Sequence, residues 1–565
     1  MALKKLYLDI ETEGLDPMTC DVVTVQILTE SGGVKINKNP AKLLAKSKRK
    51  LEECLVVGHN IKFDAKFLKY RYGITLKNVY DTYIAEIILS GGLLAGRKGA
   101  SLKDLVLKYH GVELSKDEQC GFKTDTDLTT KQVEYAVNDL NYLPGIMKQQ
   151  QDKIKLLNLE GVVETEMKAI PAVVWLELSG MHIDTEKAEK IRVELEAQKA
   201  AAQAELYKAF ASGKQMSLNG NAAVGAINLN STQQLVKALN KLGIPVKSTG
   251  ESEISKYNHP VLETLKAYKG AEKLLNTFVN KIQGYINPVS HRIHSNFNQY
   301  GAKSGRFTSS NPNLQQQPSK FTEWRTIYTA EKGNKIVTAD YSQIELRILG
   351  QVAGEDEYIN AYKSGMDLHK LTASKVFKVP PEEVQKSQRS ISKTVNFGIA
   401  YGMGSGGLQR KLQAAGIETT EDEAAQIIKG YYRSYPMVTK YLQEASNEGI
   451  KNLEIRNIAG RLMKFNVPAD EKEKGSIGRE SKNLPIQSLC ADMLKTAIAA
   501  IFRELEPLGV KFINTIHDEI VLECEESMAD FVAEILKGEM EKAGKKYLTD
   551  MPCISEVTIS DAWEK

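Results

Sequence analysis

The run Phe512–Glu523, F-I-N-T-I-H-D-E-I-V-L-E, is the stretch that most constrains the fold. Two apolar, β-prone segments flank the charged tripeptide His517-Asp518-Glu519, so the run reads as a hairpin with acids at its tip. Carboxylates inside a sheet cost several kcal/mol unless something neutralises them. A second acid is delivered the same way. The short strand Lys335-Ile336-Val337 leads into T-A-D-Y-S-Q-I-E-L-R (Thr338–Arg347), which sets Asp340 at a strand end with a helix just after it. Either these are two solvent-exposed acidic turns, or they are paired carboxylates that a pair of metal ions would neutralise.

The segment between them favours the second reading. In R-S-I-S-K-T-V-N-F-G-I-A-Y-G, Arg389, Lys393, Phe397 and Tyr401 are each four residues apart. On a helix they form one stripe of two cations followed by two aromatics. Cations suit triphosphate oxygens, and an aromatic can pack on a base and sugar. His369, twenty residues before Arg389, is a further candidate phosphate donor.

A separate acidic set lies in the first ~145 residues, where strands at Leu6–Ile10, Val22–Leu28 and Leu55–Val57 alternate with helices, an α/β pattern. Asp9 and Glu11, two apart on a strand, share one face. Asn60 and Asp64 are expected on one face of a helix from about Ile61 to Tyr72, and Tyr135 and Asp139 on one face of another from about Lys131 to Gln149. Asp9, Glu11, Asp64 and Asp139 converging would hold two Mg²⁺ or Mn²⁺ ions in an oxygen-only site suited to phosphodiester cleavage, with the Tyr135 phenol orienting the attacking water.

The remaining features set the context. A chain of 565 residues predicts three or four domains, and a net charge of +4 neither demands nor excludes nucleic acid. Six scattered cysteines (Cys20, Cys54, Cys120, Cys490, Cys524, Cys553) without a C-x-x-C pair read as free thiols of a reducing compartment. The N-terminus has no signal-peptide pattern and no long uncharged apolar run follows, so a cytoplasmic protein with no membrane association is expected, or an organellar one after removal of a targeting segment. Residues 153–210 read as helical with a break at Ser179-Gly180, and Ala211–Asn230 as a loop. Helices resume to about Gly284, and a helical block runs from about Pro381 to Glu448. The basic run Lys35, Lys38, Lys42, Lys46, Lys48, Arg49 and Lys50 reads as a solvated helical face.

Two resemblances follow from these motifs. D-I-E-T (Asp9–Thr12), H-N-I-K-F-D (His59–Asp64) and Y-A-V-N-D (Tyr135–Asp139) together resemble the DEDDy class of 3′→5′ exonucleases, and every carboxylate of that pattern is present, which implies an active nuclease. The later motifs, in their order, resemble family A DNA polymerases over essentially the whole chain. Two more fit: S-G-R-F-T-S-S-N-P-N-L-Q (Ser304–Gln315) is similar to that family's T-G-R-L-S-S-x-x-P-N-L-Q, and R-E-S-K-N-L-P-I-Q (Arg479–Gln487) spaces Arg479, Asn483 and Gln487 by four.

The resemblance implies a ribonuclease H-like α/β exonuclease domain (1–152) followed by a right-hand polymerase (153–565). Its thumb would be helical (about 181–290), its palm α+β with an antiparallel sheet (about 291–350 and 450–565), and its fingers helical (about 351–449). It implies primer extension with dNTPs, with 3′→5′ proofreading, in replication or repair. Asp340 and Asp518 would hold two Mg²⁺ ions, assisted by the Tyr341 carbonyl, and the nuclease site two more, with Mn²⁺ able to substitute; Glu519 would be close by without being an essential ligand. Arg389, Lys393 and His369 would hold the incoming triphosphate, Lys393 also protonating the pyrophosphate. Gln343 would line the nucleotide site, Glu345 would exclude a ribose 2′-hydroxyl, Phe397 would disfavour dideoxynucleotides, and Tyr401 would abut the templating pair. Arg306, Arg479, Asn483, Gln487 and His517 would contact DNA. The partners implied are primer–template DNA, dNTPs and a single-stranded 3′ end, bound by a monomer.

The sequence departs from the full-length bacterial pattern in beginning at the exonuclease domain, without a 5′-nuclease domain. No long thumb insertion is present, so no thioredoxin partner is expected. Gln316-Gln317 replaces Asn-Ile before Pro318, with no consequence we can attach. Three rival readings carry tests. A single-subunit RNA polymerase is disfavoured by Glu345 and the nuclease cluster. A nuclease with a C-terminal binding platform is disfavoured by intact Asp340 and Asp518, and a non-catalytic binder by both clusters.

Overall fold

A computed structural model describes residues 3–37, 39–114, 122–126, 128–212, 227–318 and 321–564. Lys38, Cys120 and most of the expected 211–230 loop lie outside the described residues, as does the side chain of Tyr135. The chain divides into two compact units: Met1–Met181 with Pro288–Gln316 and Ala330–Asp561, and His182–Asn287 with Gln317–Thr329 and Ala562–Lys565.

The larger unit begins with a five-stranded mixed sheet of β1 (Lys5–Thr12), β2 (Val22–Thr29), β3 (Val34–Asn37), β4 (Leu55–Gly58) and β5 (Val79–Asp81), in the order β3-β2-β1-β4-β5. β1 runs antiparallel to β2 and parallel to β4, which places it at the centre. Leu6, Leu8 and Ile10 are buried there, whereas Asp9 and Glu11 are half-buried, so β1 keeps one acidic edge within an otherwise apolar layer. The helices Lys62–Tyr72 and Thr130–Leu156 bring their acids to that edge; the second continues through Pro144. The basic run meets its expectation only in part, since Lys35 lies on β3, paired with Ile27, and not on a helix. The Pro40–Glu53 helix buries Leu43, Leu44 and Leu51 and exposes Lys42, Lys46, Lys48, Arg49 and Lys50.

The same unit continues through the buried helix Glu160–Ser179, ended by Gly180 at φ +60, where the Ser179-Gly180 break is expected. It contains the β-ribbon of β6 (Asn296–Asn298) and β7 (Thr308–Ser310), then β8 (Asn334–Tyr341), the pair β9 (Glu454–Arg456) and β10 (Leu462–Lys464), and finally β11 (Lys511–Ile516), β12 (Glu519–Glu525) and β13 (Ser555–Ser560). A four-stranded antiparallel sheet has the order β11-β12-β8-β13. Val337, Ala339 and Tyr341 of β8 point into a large core shared with the long helix Glu471–Leu505. An apolar stretch of that helix is long enough to cross a membrane, but it is mostly buried in this core.

Two further packings matter for the sites. Gly92 and Gly96, at φ +75 and +64, carry a loop directly onto the backbone of 301–303, and Gly91, at φ +62, sets it against Lys464, whose N–H it accepts at 2.9 Å. A Cβ on Gly92 would meet the Lys303 carbonyl oxygen at 2.8 Å, and one on Gly96 the Gly301 carbonyl oxygen at 2.9 Å. Beneath the 299–306 turn lies a buried ionic cluster. Glu166 Oε1 receives Lys495 Nζ at 2.5 Å and Arg461 Nη2 at 2.5 Å, while Lys495 also donates to the Gly305 carbonyl at 2.6 Å.

The smaller unit is mainly helical. Thr185–Ser212 packs along Pro260–Leu274 around Leu206, Leu235, Leu239, Leu262 and Leu265. Tyr328 and Trp563 meet edge-to-face at 5.7 Å.

Candidate active sites

A cleft of about 1320 Å³ opens at the acidic edge of β1, lined by Asp9, Glu11 and Asp139 among others. Asp64, 4% exposed, stands behind it and accepts the Ile10 N–H at 3.0 Å, which fixes the carboxylate against the strand. Burial raises the Asp9 carboxyl well above its ordinary range, and the negative charges of Glu11, Asp64 and Asp139 raise it further. Burial and then Asp139 push Glu11 up to about 8, and burial also raises Asp64 well above its usual value, against the pull of its backbone hydrogen bonds. Asp9 Oδ2 is buried without a hydrogen-bond partner. Three acids whose ionisation is resisted, with the charge of Asp139 beside them, are a donor set short of positive charge, which divalent cations fit. Among the described residues no three such groups already close around one point. Ions held here would therefore draw part of their oxygen shell from phosphate and water, as Mg²⁺ commonly does.

One expectation fails in detail. Asn60 is not on the helix face with Asp64: it has φ +55 and precedes the helix. The reason is Asp81, whose carboxylate takes the N–H groups of Asn60 at 2.9 Å and Ile61 at 3.1 Å and folds the chain into a turn. Asn60 nevertheless lines the cleft. Burial raises Asp81 to about 6 despite these bonds.

The second acidic centre forms on the four-stranded sheet. Asp340 lies opposite Glu519 on one side and Glu556 on the other. Directly opposed residues of antiparallel strands share a face, so three acids cross the sheet in a row. Asp518 sits in the tight turn before Glu519, where His517 has φ +54 and is exposed. Tyr341 points the other way, its hydroxyl donating to the Met540 carbonyl at 2.7 Å, so only its backbone is on the acidic side.

The Lys386–Ala400 helix buries Ser392, Val395, Asn396 and Ile399 and leaves Arg389 and Lys393 exposed, with Phe397 half-buried and Tyr401 at the C-cap. Arg389 Nε donates to Asp367 at 2.7 Å, and Asp367 also caps the Leu368–Phe377 helix through the His369 N–H at 2.8 Å. His369 is buried, its Nδ1 2.9 Å from Asn396 Nδ2 and its ring 5.7 Å from Phe397. Burial pushes its pKa down to about 4; Asp367 opposes this, and Arg389 and Lys393 reinforce it.

Glu345 gathers distant motifs. Arg306 Nη2 donates to its Oε1 at 2.6 Å, and the Tyr401 hydroxyl donates to its Oε2. Gln487 hydrogen-bonds Tyr401 in turn. Gln343, at φ +51, accepts from the Tyr362 hydroxyl at 3.1 Å. Arg479 is exposed and Asn483 half-buried on the Glu471–Leu505 helix. Sequence reasoning missed Asp81, Asp367 and Glu556; an Asp directly before a helix start was the readable signal for the first two.

Residues 186–565 match the family model described as DNA polymerase family A, and residues 1–155 the one described as 3′-5′ exonuclease. DNA polymerase I of Aquifex aeolicus (strain VF5) is 30% identical, over 99% of this chain and 96% of its own. DNA polymerase I of Pseudomonas aeruginosa is 29% identical over 99% of this chain and 63% of its own. The thermostable DNA polymerase I of Thermus aquaticus is 31% identical over 72% of this chain and 48% of its own. The chain thus spans nearly all of the first relative and about half of the last. The solved structure described as "POL domain of Pol1 from M. smegmatis complex with DNA primer-template and dNTP" superposes with a TM-score of 0.84 at 23% identity, covering 99% of this chain and 96% of that one, which establishes the shared fold.

Proposed function

The chain belongs to DNA polymerase family A and is a DNA-directed DNA polymerase with a 3′-5′ exonuclease domain, and from that premise we propose the residues that carry each activity. The exonuclease domain is 1–152 and the polymerase 153–565, with thumb at about 181–290, fingers at about 351–449, and palm at about 291–350 and 450–565. Asp340 and Asp518, with the Tyr341 carbonyl, are the metal-holding groups of the polymerase site; Asp9, Glu11, Asp64 and Asp139 are those of the nuclease site. Divalent ions, Mg²⁺ first and Mn²⁺ in its place, supply charge stabilisation at the entering and leaving oxygens when bound.

Everything else is positioning by the chain itself. Arg389 and Lys393 grip the triphosphate of a dNTP, Lys393 protonates the departing pyrophosphate, and neutral His369 donates one hydrogen bond. Gln343, Phe397 and Tyr401 enclose base and sugar, and Glu345 occupies the space of a 2′-hydroxyl. Arg306, Arg479, Asn483, Gln487 and His517 hold primer and template by groups common to all sequences. In the nuclease site Tyr135 orients the attacking water. We place the enzyme in the cytoplasm, acting on primer–template DNA.

The observation that carries this reading is Glu345, which joins Arg306, Tyr401 and, through Tyr401, Gln487 at one point. Extension of a primed template with Mg²⁺ and dNTPs, from matched and mismatched 3′ ends, tests it. Asp340→Ala is expected to abolish extension and keep 3′→5′ trimming; Asp9→Ala is expected to do the reverse. An Asp340→Ala enzyme that extends normally, or an Asp9→Ala enzyme that still trims, would remove the corresponding assignment.

A further inference from the structure

The turn at 299–306 is held from beneath at both of its ends. At the start, Gln299 Nε2 donates to the Glu166 carbonyl at 2.8 Å and to Glu166 Oε2 at 2.7 Å. At the end, Lys495 Nζ donates to the Gly305 carbonyl at 2.6 Å. Between these points Tyr300 lies against two cations, with Arg461 4.8 Å and Lys495 5.2 Å from its ring centre. Phe307 is a further neighbour of Lys495, its ring centre 5.5 Å from Nζ. Gly305 has φ +80, and a Cβ there would meet Arg461 Nη1 at 2.8 Å. The backbone therefore rests directly on the guanidinium, with no side chain between them.

The Gly305 carbonyl belongs to the peptide unit that leads into Arg306. That unit is planar, so fixing its oxygen also fixes the Arg306 nitrogen and Cα. The Arg306 side chain has little else to aim it. Its Nη2 reaches Glu345 at 2.6 Å, and its Nε is buried without a hydrogen-bond partner among the described residues. Lys495 is 0% exposed, and a buried cation is costly unless its bonds repay it. Glu166 does not need it, since Arg461 and Gln299 already bond its two carboxylate oxygens. The bond that distinguishes Lys495 is the one to Gly305.

We infer that Lys495 is a positioning residue of the polymerase centre: by holding the Gly305 carbonyl it sets where Arg306 meets the primer end. It acts through one peptide unit rather than on the substrate. A cation suits this task better than a neutral donor, because hydrogen bonds from charged groups are shorter and about twice as strong. Arg461, pressed against Gly305, stops the turn from sinking, and the Lys495 tether stops it from lifting. Arg306 is thus aimed before the primer arrives, so little order is lost on binding. The inference rests on the reading of Arg306 as a primer-end contact.

Single-turnover extension of a matched primer–template with Mg²⁺ and varied dNTP tests it on the full chain. Lys495→Met is expected to lower the maximal rate about tenfold, with half-saturating dNTP and the trimming of single-stranded DNA each within about twofold of the unaltered chain. In an Arg306→Ala background the same substitution is expected to cost less than about twofold more, because the group it positions is gone. Glu166→Gln/Lys495→Met strands neither charge of the pair and is expected to give the same pattern in both backgrounds, which keeps the test valid where Lys495→Met folds poorly. Normal extension by both variants overturns the inference. So does a loss of about tenfold that persists in the Arg306→Ala background, or a parallel fall in trimming, since a merely structural role acts on both activities and adds to any other change. Arg306→Ala alone reports separately on the primer-end reading: normal extension by that variant removes it, whatever the lysine variants do.

Discussion

Glu166→Gln tests whether the buried ionic cluster beneath the 299–306 turn stabilises the fold. Glu166 is 0% exposed, and its Oε2 also accepts Gln299 Nε2 at 2.7 Å. Arg461 keeps a second anion, Asp492, at 2.5 Å, but Lys495 keeps only the Gly305 carbonyl among the bonds described above. The amide preserves shape and removes the charge that two buried cations share. Removing one member of a buried ion pair costs ~3–5 kcal/mol, because the remaining charge is left uncompensated. With a urea slope of about 3 kcal/mol per molar, the unfolding midpoint is expected to drop by about 1–1.7 M. Circular dichroism and tryptophan fluorescence follow this, since Trp175 lies in the core of the same unit. Adding Lys495→Met, which removes the stranded cation, is expected to recover part of the loss. A midpoint shift below about 0.3 M, the behaviour of a surface pair, would refute the reasoning.

Two other outcomes are expected. Glu345→Ala removes the acid that Arg306 and Tyr401 share and should raise ribonucleotide over deoxynucleotide incorporation at least about tenfold, or ~1.4 kcal/mol, in competition assays; an unchanged ratio removes Glu345 from the gate role. His369 has its pKa lowered from 6.5 to about 4, so the unfolded chain takes up its proton first as pH falls. Its contribution to stability is present above pH 6.5 and is lost progressively toward pH 4. His369→Asn should flatten the pH dependence of the unfolding midpoint over that window, and a parallel curve would argue against a buried neutral imidazole.

The elements that bear the acids were legible because their signals are local. Period two in D-I-E gave the acidic edge of β1, and the four-residue spacing of Arg389 to Tyr401 gave the exposed stripe. The Phe512–Glu523 hairpin forms as its pattern implies. What was not legible depends on partners distant in sequence. Asn60 leaves its helix because Asp81, on another strand, captures its N–H. Glu556 joins the acidic row only through the register of β13 on β8. No periodicity in the sequence marks Asn296 and Asn298 as lining the cleft at Asp9, since a three-residue strand is too short to show one. The helix break at Ser179-Gly180, just before 182–287, was readable, but the joining of that segment with 317–329 and the C-terminus is a tertiary fact.

The glycine loop at 91–96 bears on how such enzymes can be recombined. Its backbone sits against that of 301–303 with no room for a Cβ at Gly92 or Gly96, and the contact joins the exonuclease part to the polymerase part. A chimera that takes its proofreading half from one relative and its polymerising half from another must match both surfaces at the level of main-chain atoms, where no side-chain repacking can absorb a misfit. The two activities are modular as chemistry, but as objects they are cut to one another.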